Sequence, residues 1–319
     1  MRFFRAAVCA LFVIKLLARV EENKKSISQN LLAEIVAHLK MPLSNVTPMA
    51  RRGLSNAIFE AKSPAGKVVI KVAGIGELGV HRKEARAAEL AIEHGVRAPA
   101  VLAVGNTEGY SFIVTPFIPG KDVDTLPEAQ RIPHWQEVGR QIAKLHQIGL
   151  AGFTDDFEEG VLSAHDATLR LWLDYAVDVC ATPAARSILG ADRSARLAPA
   201  FHRLSKAKLK PVVSYGGLQP GNLRVDALGG VWLLDWGDAI GHSPLRDIAD
   251  LFVFNVSQNE RNAFYKGYGG EFSPDETELR LMIVIRLAMR AIWLAERRNK
   301  FPEVATLLNE TLQRLEQYL

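Results

Sequence analysis

The chain has 319 residues, 48% of them apolar and 23% charged, with a formal net charge of +4. These are the proportions of a globular protein with material for a sizeable core, and they exclude a disordered or low-complexity chain. The basic residues are interspersed with acidic ones and no fixed-period repeat occurs, so neither a nucleic-acid-binding protein nor a solenoid is expected. The two cysteines, Cys9 and Cys180, have no second Cys or paired His at metal-ligand spacing, the pattern of a reducing, cytoplasmic compartment.

Residues 1–25 form an N-terminal extension with a basic tip and an apolar run from Ala6 to Ile14. Lys15 and Arg19 interrupt the outline of a signal peptide, and the run is too short to span a bilayer. A helix packed on the domain is expected here, with membrane contact by residues 1–20 as the alternative.

Ser26 to Lys40 places Ile27, Leu31, Leu32, Ile35, Val36 and Leu39 on one helical face, and Pro42 ends it. Short β-like runs follow at 45–51, 57–61 and 67–73. Glu77 to His94 reads as a helix closed by Gly95, and strands are expected at 101–104 and 110–118. Strand, strand, strand, helix, strand, strand describes a small α+β lobe that ends near Pro119-Gly120. Thereafter helices dominate, at 135–148, 167–179, 193–206, 276–296 and 301–318. They are interrupted by one β-rich island from Pro211 to Trp236. The expected organisation is a lobe over 26–120 and a larger helical lobe over 121–319.

Several residues stand where their chemistry needs explaining. Lys71 lies inside the apolar strand VVIKV, an awkward place for an ammonium unless it faces an anion. Glu84, mid-helix, is a candidate partner for it, and Glu89 is the rival. Arg52-Gly-Leu-Ser-Asn56 lies between the first two strands. A backbone-rich turn there can cover phosphates, with Ser55 and Asn56 as donors, although the same residues also make an ordinary hairpin turn. In the island, VSYGGLQPGN ends on Asn222, and VWLLD ends on Asp235. An amide oxygen and a carboxylate brought together across a hairpin are hard ligands suited to Mg2+ on nucleotide phosphates. Capping of a turn and of a strand end is the alternative. Asp238 is a further acceptor, and Asp247 has the look of an N-terminal helix charge.

The order NAIFEA, VVIKV, HRKEARAAELAIEHGV, YSFIVTPFIPG, EVGRQIAKLHQIGL, YGGLQPGNLRVD, VWLLDWGDAIGHSPLRDIADL resembles the aminoglycoside phosphotransferase and choline kinase superfamily. The resemblance implies an α+β, protein-kinase-like, two-lobed fold with a small five-stranded N-lobe carrying one helix and a larger, mostly helical C-lobe. It implies ATP and Mg2+ as cofactors, bound between the lobes. Lys71 would hold the α- and β-phosphates and Glu84 would orient it. Asn222 and Asp235 would hold the metal, and Thr115 to Ile118, including Phe117, would form the hinge beside adenine. The acceptor would be a hydroxyl or amine of a small molecule.

The same resemblance isolates a departure. The family pattern close to His-Gly-Asp-Leu-His-Pro-Gly-Asn reads Tyr-Gly-Gly-Leu-Gln-Pro-Gly-Asn here, so Gly217 stands where the proton-accepting Asp belongs. Loss of a positioned base typically costs ~10²–10⁴ in rate. Tyr215, at the position of the first His, fills its space or replaces the base, and Asp238 is the other substitute. A slow or divergent phosphotransferase is expected, with a nucleotide-binding pseudokinase as the alternative. For the acceptor, an acidic loop at 155–159 and the aromatics Trp172, Tyr175 and Trp293 are weak pointers that solvation and core packing also explain.

Overall fold

The computed structural model describes residues 28–49, 56–107, 109–154, 162, 169–273, 276–299, 301–302 and 304–319. The N-terminal extension, the turn as far as Ser55 and the acidic loop lie outside the described residues, as do the side chains of Trp172 and Tyr175. The chain divides into two compact units. The first takes in Ala98–Pro119 and the described residues up to Leu90; the second takes in Ala91–Arg97 and the described residues from Gly120 onward.

In the first unit, helix α1 (Gln29–Leu39) starts at Ser28, whose hydroxyl accepts from the Leu31 N–H at 3.2 Å. Its apolar stripe of Leu31, Ile35 and Leu39 packs with Phe59, Val68, Ile70, Val72, Phe112 and Val114. These belong to an antiparallel sheet in the order β1-β2-β3-β5-β4. The strands are β1 (Ser44–Pro48), β2 (Ala57–Ser63), β3 (Gly66–Gly74), β4 (Ala103–Thr107) and β5 (Tyr110–Pro116). Because successive strand side chains alternate, Val68, Ile70 and Val72 face this core while Val69 and Lys71 take the other face. Helix α2 (Leu78–Glu93) follows β3.

The second unit holds the helices α3 (Glu128–Leu145), α4 (Leu169–Ala181), α5 (Pro183–Leu189), α6 (Ala191–Leu204), α7 (Leu245–Val253), α8 (Gln258–Tyr268), α9 (Thr277–Arg297) and α10 (Val304–Tyr318). Two small antiparallel sheets accompany them. One runs β6 (Lys121–Asp122), β8 (Leu223–Val225), β9 (Val231–Leu233), and the other pairs β7 (Val212–Ser214) with β10 (Ile240–His242). The island expected from sequence is thus split between them.

Two differences from the sequence reading have local causes. Helix α3 begins seven residues before Trp135, through Pro133. A proline forfeits one backbone bond, and the first turns are anchored elsewhere: Arg131 Nε and Trp135 Nε1 both donate to the buried Glu260 carboxylate, at 2.5 and 3.0 Å. Helix α8 was not foreseen, since QNERNAFYKGY lacks an apolar stripe. It is set by a capping box in which Ser257 accepts from the Glu260 N–H and Glu260 accepts from the Ser257 N–H. Among the described residues no helix is long and apolar enough to cross a membrane.

Helices α3 and α8 meet through glycines. An ideal Cβ on Gly139 would lie 2.1 Å from the Phe264 carbonyl oxygen, and one on Gly267 would lie 1.9 Å from that of Gln136. Only hydrogen fits at either contact. Gly139→Ala and Gly267→Ala are each expected to lower unfolding free energy by about 1–3 kcal/mol, whereas Gly270→Ala, whose Cβ would have only Phe272 at 4.0 Å, is expected to lie within about 0.5 kcal/mol of wild type. Urea denaturation of the three variants checks this.

Candidate functional site

In β3, Lys71 is paired across the sheet with Ile58 on β2 and Ile113 on β5, and Val69 with Thr115. Register therefore puts Lys71 and Thr115 on one face of the sheet, away from α1. The lysine Nζ donates to both oxygens of Glu84 on α2, at 2.8 and 2.9 Å. Both side chains are largely enclosed, 13% and 8% exposed. Glu89 is instead exposed and paired with Arg86. Asn56 sits just before β2. Phe117 follows β5, its N–H bound to the Lys67 carbonyl oxygen at 2.9 Å and its ring 4.9 Å from the Lys67 ammonium.

In the second unit, the segment after β7 is shaped by hydrogen bonds to its backbone. Asp247, in the first turn of α7, is fully buried; its Oδ2 accepts from the Tyr215 N–H at 2.9 Å and its Oδ1 from the Gly216 N–H at 2.6 Å. His146, just past α3, lies with Nε2 2.9 Å from Asp247 Oδ2 and Nδ1 2.8 Å from the Tyr268 hydroxyl. Burial raises the Asp247 pKa, but the hydrogen bond and charge of His146, Arg246 and the Gly216 N–H together hold it below the usual carboxylate value. Farther along, the Asn222 side-chain nitrogen donates to the Gly217 carbonyl at 3.1 Å, and the Leu234 N–H donates to the Asn222 carbonyl at 2.8 Å.

These contacts bring Gly217, Asn222 and Asp235 together. An ideal Cβ on Gly217 would be 3.0 Å from Asn222 Nδ2, 3.3 Å from Tyr215 Cζ and 3.4 Å from the Asp235 carbonyl oxygen. Asp235 is exposed and holds a left-handed backbone conformation at φ 59°, which is uncommon for a non-glycine residue and typical of a residue constrained by its site. Asn222 uses its amide nitrogen as a donor within the loop, which leaves its amide oxygen as the atom that can coordinate a cation. Among the described residues no group of three or more His, Cys, Asp or Glu could hold a metal. An amide oxygen and a carboxylate are the oxygen ligands a hard cation takes, with phosphate and water able to fill its remaining positions.

Tyr215 is buried, donates its hydroxyl to the Leu234 carbonyl oxygen and stacks edge-on against Trp236 with ring centroids 4.7 Å apart. A phenol bound this way directs its proton at a carbonyl oxygen, and ionising it would set an anion against that oxygen. Asp238 is exposed, and its carbonyl oxygen lies 2.6 Å from the ideal Cβ position of Gly216.

Behind the loop lies a charged pair, Arg286 and Asp250, that the sequence reading missed. Arg286 on α9 donates through Nε and Nη2 to Asp250 Oδ1, at 2.9 and 2.6 Å, and through Nη2 to the Gly216 carbonyl at 3.3 Å. Burial pushes the Asp250 carboxyl up to about 6 against the pull of Arg286. The signal for Asp247 and Asp250 was present: RDIAD puts two carboxylates three residues apart on a helix that, Arg246 aside, is apolar and buried. A cavity of about 390 Å³ lined by Phe252, Arg261, Glu310 and Arg314, among others, contains none of the predicted residues.

The model of the phosphotransferase enzyme family matches residues 48–282, which include all of these elements from β2 to α7. The chain belongs to the phosphotransferase enzyme family. No curated protein matches it. Solved structures with the same fold include a candidate fructosamine-3-kinase from Haemophilus somnus 129PT, at 16% identity and TM-score 0.65 over 91% of this chain and 96% of that one. Another is a thermostable mutant of aminoglycoside phosphotransferase APH(4)-Ia in ternary complex with ADP and hygromycin B, at 14% identity and TM-score 0.68 over 91% and 98%. For this phosphotransferase family member, such likenesses establish the α+β, kinase-like fold.

The two buried carboxylates have opposite pH signatures. Asp247, with its folded pKa depressed, stabilises above the unfolded value near 4, and its contribution is lost as pH falls through the folded value. Asp250, raised from 3.8 to about 6, holds more protons folded than unfolded in that window, so its contribution makes stability fall as pH rises through it. At roughly 1.4 kcal/mol per pH unit that fall is about 3 kcal/mol. Asp250→Asn is expected to remove most of it, read as the difference between unfolding free energies at pH 4 and pH 7. Asp247→Ala strands two buried N–H groups and is expected to cost about 3 kcal/mol or more at pH 7, measured by urea denaturation.

Proposed function

We propose that the chain binds Mg-ATP and transfers the γ-phosphate to a small-molecule acceptor. The observation that carries this reading is the enclosed Lys71–Glu84 pair. An ammonium drawn out of water in an apolar strand and oriented by a carboxylate at 2.8 Å is the arrangement that presents a fixed positive charge to nucleotide phosphates. In this reading residues 26–120 carry the nucleotide and 121–319 carry the loop and the metal ligands. Lys71 binds the α- and β-phosphates, Ser55 and Asn56 donate to phosphate oxygens, and Thr115 and Phe117 flank the adenine. Asn222 and Asp235 would hold Mg2+, whose contribution when bound would be neutralisation of phosphate charge.

The loop residues then position an acceptor without taking its proton. Gly217 presents only its backbone, Tyr215 is committed to the Leu234 carbonyl, and Asp238 is the remaining carboxylate. For a hydroxyl or amine acceptor the reaction therefore proceeds through alignment and charge neutralisation alone, slower by ~10²–10⁴ than with a positioned base. The missing carboxylate also favours a second reading, a nucleotide-binding pseudokinase that acts through a partner.

Calorimetric titration with Mg-ATP separates these readings from a chain that has no nucleotide function. Wild type is expected to bind, and Lys71→Met is expected to weaken binding at least about tenfold, the loss of one charge-assisted contact. Gly217→Asp is expected to raise ADP release with hydroxyl acceptors at least about tenfold, after Asn222 shifts slightly to admit the new Cβ; Gly217→Ala is the steric control. Binding in wild type with no acceptor-dependent ADP from either protein would leave the pseudokinase reading. Absence of Mg-ATP binding would overturn both.

A further inference from the structure

We propose that Gln141 is a positioning residue for the metal ligands, an internal brace that takes the place of a further strand beside β9 and so keeps Asp235 in register with Asn222. This deepens the proposed Mg-ATP reading and rests on it.

Gln141, on the inner face of α3, is only 1% exposed. Both ends of its amide are engaged. Oε1 accepts from the Arg97 N–H at 2.7 Å, and Nε2 donates to the Val231 carbonyl oxygen at 2.8 Å. Arg97 completes the connection, its own carbonyl oxygen accepting from the Leu233 N–H at 2.9 Å. Almost one turn later on α3, Lys144 donates to the Gly95 carbonyl oxygen at 3.2 Å, so the helix holds this segment at two points. β9 is the outer strand of the sheet β6-β8-β9, and an enclosed strand edge needs partners for its backbone groups. A further strand ordinarily supplies them. Here Gln141 and Arg97 do so, and Trp236 Nε1 donates to the Leu233 carbonyl oxygen at 2.9 Å. A leucine would fill much the same space, but only a side chain with both an acceptor and a donor can serve Arg97 and Val231 together.

The position of β9 gives the brace its use. β8 begins directly after Asn222, and β9 ends two residues before Asp235. The Leu234 N–H donates to the Asn222 carbonyl oxygen at 2.8 Å. The placing of the two proposed ligands is therefore a matter of register between two strands of three residues each. So short a hairpin is marginal by itself, and a slip of one residue would turn its side chains to the opposite face. On one side β8 is fixed by β6 and by the Asp122–Arg224 ion pair. On the other, β9 is fixed by Gln141 and Arg97. Asp235 then follows at φ 59°, a conformation that a non-glycine residue keeps only where its surroundings impose it. Gln141 thus acts through β9 on the metal carboxylate, and its loss is expected to appear in the response to metal.

The test uses the full chain and reads ATP affinity by calorimetry over a series of Mg2+ concentrations and in EDTA. Gln141→Met keeps the length of the side chain and removes both hydrogen bonds. It is expected to raise the Mg2+ concentration that gives half of the metal's effect on ATP affinity by about tenfold, the low end of what losing an orienting contact costs a metal site. In EDTA its ATP affinity is expected to stay within about twofold of wild type, since Lys71 and its surroundings are untouched. Gln141→Glu gives a second reading: a neutral carboxyl can accept from Arg97 and donate to Val231, whereas an ionised one sets a negative charge against that carbonyl. Its departure from wild type in Mg2+ dependence is expected to be small at pH 6 and at least about threefold larger at pH 8, as the buried carboxyl ionises. A role in stability alone would lower the melting temperatures of both variants and leave their Mg2+ dependence at the wild-type value. That outcome overturns the proposal, as does an equal loss of ATP affinity with and without metal. Should Gln141→Met fail to fold, the pH dependence of Gln141→Glu decides. If wild type binds no ATP, or binds it without regard to Mg2+, the phosphotransfer reading fails and the brace loses its assignment with it. A wild type that responds to Mg2+, beside variants that respond identically, removes the brace alone.

Discussion

Two oxygens of one buried carboxylate, Asp247, set the course of the chain through the candidate site. Each takes a backbone N–H of the loop, from Tyr215 and Gly216, so the loop is held by its main chain from the helix beneath it. The carboxylate depends in turn on His146 at the end of α3, and His146 on Tyr268 at the end of α8. The approach of those two helices through Gly139 and Gly267 fixes where histidine and tyrosine meet. A contact between helix backbones thereby governs the placement of a loop to which neither helix contributes a residue.

The first unit reaches a comparable result by simpler means. A strand alternation and one helix suffice to orient Lys71 with Glu84, and both are local in sequence. Its fixed charge needs only a sheet and one ion pair. The loop of the second unit is held through four elements, β7, α7, α3 and α8.

That contrast also explains what could be read from the sequence. Lys71 was legible because a charge inside VVIKV has no good local explanation, and the five strands and the helix after β3 were legible from their alternation and end signals. Thirteen residues separate Asn222 from Asp235, a spacing that only a hairpin makes useful, and the hairpin announces itself in ALGG. Asp247 was not legible as an anchor because an acidic residue at a helix start already has a sufficient local account. Its true partners lie 31 and 101 residues away. Helix α8 was hidden because its only buried apolar side chains are Phe264 and Tyr265, beside the buried Glu260, and only its capping box marked it. Nothing in the sequence distinguishes Arg246 from a solvated arginine, since its burial is wholly a product of the tertiary arrangement.

The hydrogen bonds that shape the loop, from Asp247 below and from Asn222 alongside, all end on backbone atoms of Tyr215, Gly216 and Gly217. The side chain at 217 takes no part in holding the loop in place. Scaffold and side chain are thereby separable at this position: under the proposed function, the residue that would decide proton transfer can change without breaking any of these bonds, Asn222 giving way by a few tenths of an ångström. If the loop serves the proposed transfer, a lineage built on it can trade one acceptor chemistry for another, or set transfer aside and take it up again, by a single substitution on an almost unchanged frame.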